Sequence, residues 1–179
     1  VYAFYMGVLS GAVLFLLPFG VISAPTARIT LLSIGIALTF ISSILLLYKS
    51  LKASEASDVA PVMGAVSAIA TFLFSYLILD DRLPGNFIIS FILLVLGTLL
   101  ISHFRFSQIS VTQLSIAGIL FGLSSVFVKM IFAETDFLNG FFWSRMANVV
   151  GALVILIWPG NFESIVHNFS TSNKDTKLL

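Results

Sequence analysis

The chain has 179 residues, 59% of them hydrophobic and only 9% charged, with a formal net charge of +1 and a mean hydropathy of +1.10. A soluble domain carries roughly 25% charged residues to cover its surface, so the composition excludes a water-soluble fold and predicts an integral membrane protein. The small net charge favours neither nucleic acid nor an anionic surface, and the absence of cysteine excludes disulfides, thiolate nucleophiles and cysteine metal sites.

In chain order, six apolar runs cover residues 2–22, 29–48, 59–79, 86–104, 114–133 and 137–158. About 20 apolar residues in a helix cross some 30 Å of hydrocarbon, and lipid offers no partner to an unpaired backbone group. Each run is therefore expected to be a transmembrane helix, with the lipid bilayer as its partner. The alternating ten-residue segments of a β-barrel are missing. The expected class is all-α, a polytopic bundle of six helices.

The gaps SAPTAR, KSLKASEASD, DDRLPG, RFSQISVTQ and ETD are short. They predict consecutive helices as antiparallel neighbours and leave no room for a soluble domain. DDRLPG (80–85) reads as a tight interfacial turn in which Pro84 and Gly85 break the helix while Asp80, Asp81 and Arg82 stay in water. Pro61 is expected in the first turn of the third helix, where its missing N–H costs little. The chain starts with Val and has no charged segment before its first run, so a piece of a longer protein without a signal peptide is expected. Residues 161–179 are polar, as a tail or an interhelical loop.

Taking gaps in alternation, Arg28 and Arg82 fall on one side with Lys129 nearby, and Lys49, Lys52, Arg105, Lys174 and Lys177 on the other. The positive-inside rule makes the second side cytoplasmic. Helix association in lipid relies on small residues. Gly7-xxx-Gly11 and Gly118-xxx-Gly122 are such pairs, with Gly64-xxx-Ala68 and Ser67-xxx-Thr71 as looser equivalents. They serve packing inside one bundle or a homodimer face.

A shift of 140 residues superposes GAVLFLLPFG (11–20) on GALVILIWPG (151–160), with Met6 meeting Met146. A repeat unit of five helices inserts upside down the second time, a design common in secondary transporters. Ala60-Pro61, Leu79 through Leu83 and Gly97 follow one another across residues 53–102. That order resembles the EamA-type repeat of the drug/metabolite transporter superfamily, with Asp80-Asp81 standing where the family has Gly-Glu. AGILFGLSSVFVKMIF (117–132) and FFWSRMANVVGALVILI (141–157) are similar to the first two helices of its second repeat. The resemblance implies a ten-helix inverted-repeat transporter of which this chain holds helices two to seven. Residues 1–104 would be the first repeat lacking its first helix, and 105–179 the start of the second: two helices plus the polar tail or loop.

No catalytic constellation is present. His103 and His167 have no second ligand at metal spacing, Asp and Glu never occur inside a run, and no phosphate loop exists. No catalytic residue, metal or cofactor is therefore expected, and the chain reads as a non-enzyme. Arg145 and Asn148 lie three apart, on one helix face. Arg145 stands well inside its run, where charge is costly. It reads either as a structural, snorkelling Arg or as an anion- or carboxylate-facing group on a substrate path. Lys129, nearer its helix end, is expected to snorkel. Ser67, Thr71, Tyr76 and Ser124 complete the candidate path. The expected function is alternating-access transport of a small metabolite or drug, by an integral protein of a bacterial or archaeal cytoplasmic membrane. A membrane-embedded enzyme or assembly subunit with its active residues elsewhere is the alternative.

Overall fold

The structure, a computed structural model, describes residues 5, 8–81, 85–101 and 108–157. Gly7, Arg82 with Pro84, His103, Arg105, His167, Lys174, Lys177 and the polar segment 161–179 lie outside the described residues.

Every regular element among the described residues is a helix. A 3₁₀ helix, Gly11–Phe19, precedes five α-helices: α1 Ala27–Leu51, α2 Ala56–Leu79, α3 Gly85–Ile101, α4 Gln108–Glu134 and α5 Phe137–Ile157. Four helices, in α1, α2, α4 and α5, are long and apolar enough to cross a membrane. Large apolar side chains such as Leu31, Leu77, Leu100 and Val154 point outward, as lipid permits and water does not.

The first run differs from expectation. Its described helical part is short, Val8–Phe19, and from Gly11 onward it is 3₁₀. Pro18 lies inside it. In an α-helix its ring would clash with the carbonyl four residues earlier, and the tighter i→i+3 winding avoids that register. Gly20, at φ 66°, closes the segment in the left-handed region, where glycine has no Cβ to clash.

Two boundaries also move. α4 begins at Gln108, inside the expected gap, because that stretch contains no helix breaker. α2 begins at Ala56, so Pro61 is an interior residue of the helix and not part of its first turn. At α1, the Thr26 hydroxyl accepts from the Ile29 amide at 3.3 Å and supplies the N-cap.

Short connections do not decide which helices pack together. α4 is the hub: its principal neighbours are α1 and α2, while α1 and α2 barely touch each other. Ile36, Ile131 and Ala147 join α1, α4 and α5 in one apolar cluster, and Val59, Met63, Leu114 and Ala117 join α2 to α4 in a second. The α2–α4 contact is a backbone contact. A Cβ on Gly118 would lie 2.6 Å from Val66 Cγ1, and one on Gly122 2.8 Å from the Thr71 amide nitrogen. The small face of α4 is thus covered by α2 within the chain. Between α1 and α4, the fully buried Ser43 hydroxyl donates to the Ala117 carbonyl at 2.7 Å.

Three polar contacts gather helix ends. Arg28 pairs with Glu134 at 2.6 Å, Lys129 pairs with Asp81, and the Ser23 amide donates to Asn139 Oδ1 at 2.8 Å. They bring the start of α1, the ends of α2 and α4 and the start of α5 to one end of the bundle. Accordingly α1 and α5 run opposite to α2 and α4.

Candidate functional site

Two cavities flank α4. The first, about 180 Å³, opens between α1, α4 and α5. Phe40 and Phe132 supply apolar wall; Ser124, Ser125, Ser144, Arg145 and Asn148 supply the polar groups. The geometry follows from helical spacing. Ser144, Arg145 and Asn148 occupy adjacent turns of one α5 face, and α4 turns its serines toward them across the gap.

Arg145 is exposed and stands over the Phe141 ring, 5.3 Å from its centroid. Among the described residues no carboxylate pairs with it. A guanidinium over an aromatic face is steadied by the ring quadrupole while its N–H fork remains available for an anion. Arg145 also borders an open groove of about 480 Å³ between α5 and the 3₁₀ helix, lined by Ser10, Val13 and Phe15 among others. It therefore connects cavity and groove. Asn148 is buried, and among the described residues its Oδ1 has no hydrogen-bond partner, so it can accept from a ligand donor. The Ser125 and Ser144 hydroxyls donate to the Phe121 and Phe141 carbonyls, each at 3.0 Å. Among the described residues, no carboxylate, imidazole or thiol lines this cavity. Its guanidinium, amide and hydroxyl groups can bind and orient a ligand.

The second cavity, about 400 Å³, lies on the opposite flank, between α2, α3 and α4. Ser67, Thr71 and Ser75 recur every four residues along α2 and so form one stripe. Phe72 and Phe91 face each other at 5.3 Å between centroids, and Asp81 and Lys129 close one end. The Lys129 ammonium donates to Asp81 Oδ2 and, at 3.4 Å, to Ser75 Oγ. The lysine is therefore ion-paired, its half-exposed head lying at the helix end as a snorkelling side chain would, and Asp81 is both an exposed turn residue and its partner. The Lys129 hydrogen bond and charge hold the Asp81 carboxyl below the usual carboxylate range.

The six candidate residues thus divide. Ser124, Arg145 and Asn148 share the first cavity, Ser67 and Thr71 the second, and Tyr76 lines neither and is exposed. No protein-family model, curated protein or solved structure matches the chain.

Sequence reasoning missed two features. One is the Asp81–Lys129 pair. Its signal was present, because a lone cation inside a run needs a partner at its own membrane depth and alternation put Asp81 on that side. The other is the Asn139 cluster. Asn139 Oδ1 accepts from Ser23, its Nδ2 donates to Asp136 Oδ1 at 2.6 Å, and the Trp143 indole donates to the Ser23 carbonyl at 3.3 Å. Asp136 Oδ2 accepts from the Leu138 and Asn139 amides and caps α5. These bonds hold the Asp136 carboxyl below its ordinary range, the Asn139 side chain most of all. Together they tie residues 21–26 to the start of α5, beside the Arg145 groove.

Proposed function

We propose that the chain is a carrier that moves a small carboxylate-bearing or otherwise anionic metabolite or drug across a membrane by alternating access. The observation that carries this reading is the Arg145 guanidinium, which among the described residues has no carboxylate partner, in one cavity with the buried Asn148, whose Oδ1 suits a donor group elsewhere on the same ligand. An uncompensated cation among spanning helices is costly and marks a substrate or ion path. Ser124 belongs to the same path, and Ser67 and Thr71 border the cavity across α4.

The finer reading follows the resemblance to the EamA-type repeat. The chain has six spanning helices, with α3 and the N-terminal helical segment among them. These are helices two to seven of a ten-helix inverted repeat, divided near residue 104, in the cytoplasmic membrane of a bacterium or archaeon. A homodimer through the remaining small-residue faces belongs to the same proposal.

The test is binding of a panel of small carboxylates and phosphates to the full-length protein in detergent micelles, followed by its uptake activity in proteoliposomes. Arg145→Gln is expected to weaken binding roughly tenfold or more, the scale of one charge-assisted contact, and Arg145→Lys less. Unchanged affinity in both variants, with unchanged melting, would remove Arg145 from the substrate path and the reading with it.

A further inference from the structure

The pocket between α2, α3 and α4 has a polar lining of one kind. Its three hydroxyls have spent their protons: Ser67 donates to the Gly64 carbonyl at 3.0 Å, Thr71 to the Ser67 carbonyl at 2.7 Å and Ser75 to Asp81 Oδ2 at 3.3 Å. A hydroxyl whose proton is engaged offers a neighbour only lone pairs. Asp81, an ionised carboxylate, likewise only accepts. The remaining walls include two phenyl rings, whose faces attract cations. α2 also ends here, and the carbonyl end of a helix carries partial negative charge. Among the described residues only Lys129 donates into this pocket, and it arrives from across the gap on a long flexible stem that is 54% exposed. Its ammonium occupies one corner of a space of about 400 Å³. An exposed ion pair of this sort is weak and readily exchanged.

We propose that this pocket binds a small organic ammonium ion, with Asp81 as its counter-ion and Lys129 as the built-in ammonium that holds the place when no ligand is bound. The ligand's N–H groups meet Asp81, Ser75 and the hydroxyl stripe, its apolar body meets Phe72 and Phe91, and Lys129 is displaced toward solvent. The inference rests on the acceptor-only lining and stands whether or not the chain is a carrier.

The experiment is calorimetric titration of the full chain in detergent micelles with benzylammonium, using benzyl alcohol as the isosteric neutral control. Lys129→Met removes the internal competitor and is expected to tighten benzylammonium binding by about two- to fivefold, the scale of an exposed ion pair, and Asp81→Asn to weaken it by a similar factor. Benzyl alcohol is expected to bind more weakly than benzylammonium to both the natural chain and Lys129→Met. Equal affinity in the natural chain and Lys129→Met, undiminished binding by Asp81→Asn, or benzyl alcohol binding as well as the ammonium would each overturn the proposal. Should Lys129→Met not fold, by circular dichroism, Thr71→Phe decides instead. It fills the pocket without touching the ion pair, and it must abolish binding to a chain that keeps Lys129. Undiminished binding there overturns the proposal equally.

Discussion

Gly122 of α4 lies so close to α2 that a Cβ on it would stand 2.8 Å from the Thr71 amide nitrogen and 2.7 Å from the Ala70 Cβ. The obstacle is partly backbone, so it cannot rotate away. Gly122→Ala is expected to push α4 from α2 and cost about 1–3 kcal/mol, the scale of an overpacked core. Gly64→Ala is the control, because its Cβ would reach only Thr98 Cγ2 at 4.0 Å and gains up to about 1 kcal/mol of helix propensity. Melting in micelles should separate the two, and equal melting temperatures would contradict the packing described.

The Ser43 hydroxyl is fully buried and reaches across to the Ala117 carbonyl. Ser43→Ala is expected to cost about 0.6–1 kcal/mol, the range for a hydrogen bond between membrane helices. Ser42→Ala, one residue away on the exposed face, should change stability by less. A double-mutant cycle is unnecessary, since the acceptor is backbone.

Asn139 is buried and joins Val21, Ser23 and Asp136. Asn139→Leu keeps the branched outline of the side chain and removes every one of these side-chain bonds, leaving the Ser23 amide without its acceptor, at about 1–3 kcal/mol. Hydrogen exchange at the Ser23 amide is the direct readout. It should accelerate strongly in the variant while the amides of α2 keep their natural rates.

Asp136 supplies a pH dependence whose sign is fixed. Its carboxyl is held below the ordinary range by Asn139 and the first amides of α5. Its contribution to stability is therefore complete above the unfolded value, roughly pH 4, and is lost as the pH falls through the lower folded value. Melting of the natural chain should drop between neutral pH and pH values under that mark. Asp136→Asn should melt lower at neutral pH and show a shallower acid-side fall. An unchanged acid-side profile would show that the cap does not couple to folding.

Much of the helical layout was legible locally. Lipid forces each backbone polar group to find a partner within its own segment, so run length and short gaps were enough to foretell α1, α2 and α5 to within a few residues. Gly118 and Gly122 announced a close helix contact, and Arg145 with Asn148 announced one shared face, because both patterns live inside a single helix. What the runs could not encode was which helix meets which. Apolar side chains are content on either face of a membrane helix, so hydropathy does not point toward a core. Tertiary packing alone made α4 the hub, split Ser67 and Thr71 from Ser124, Arg145 and Asn148, and left Tyr76 outside both cavities. It also joined Lys129 to Asp81 and Asn139 to Ser23, 48 and 116 residues apart, since a polar group inside such a bundle takes whatever partner the packing of whole helices brings within reach.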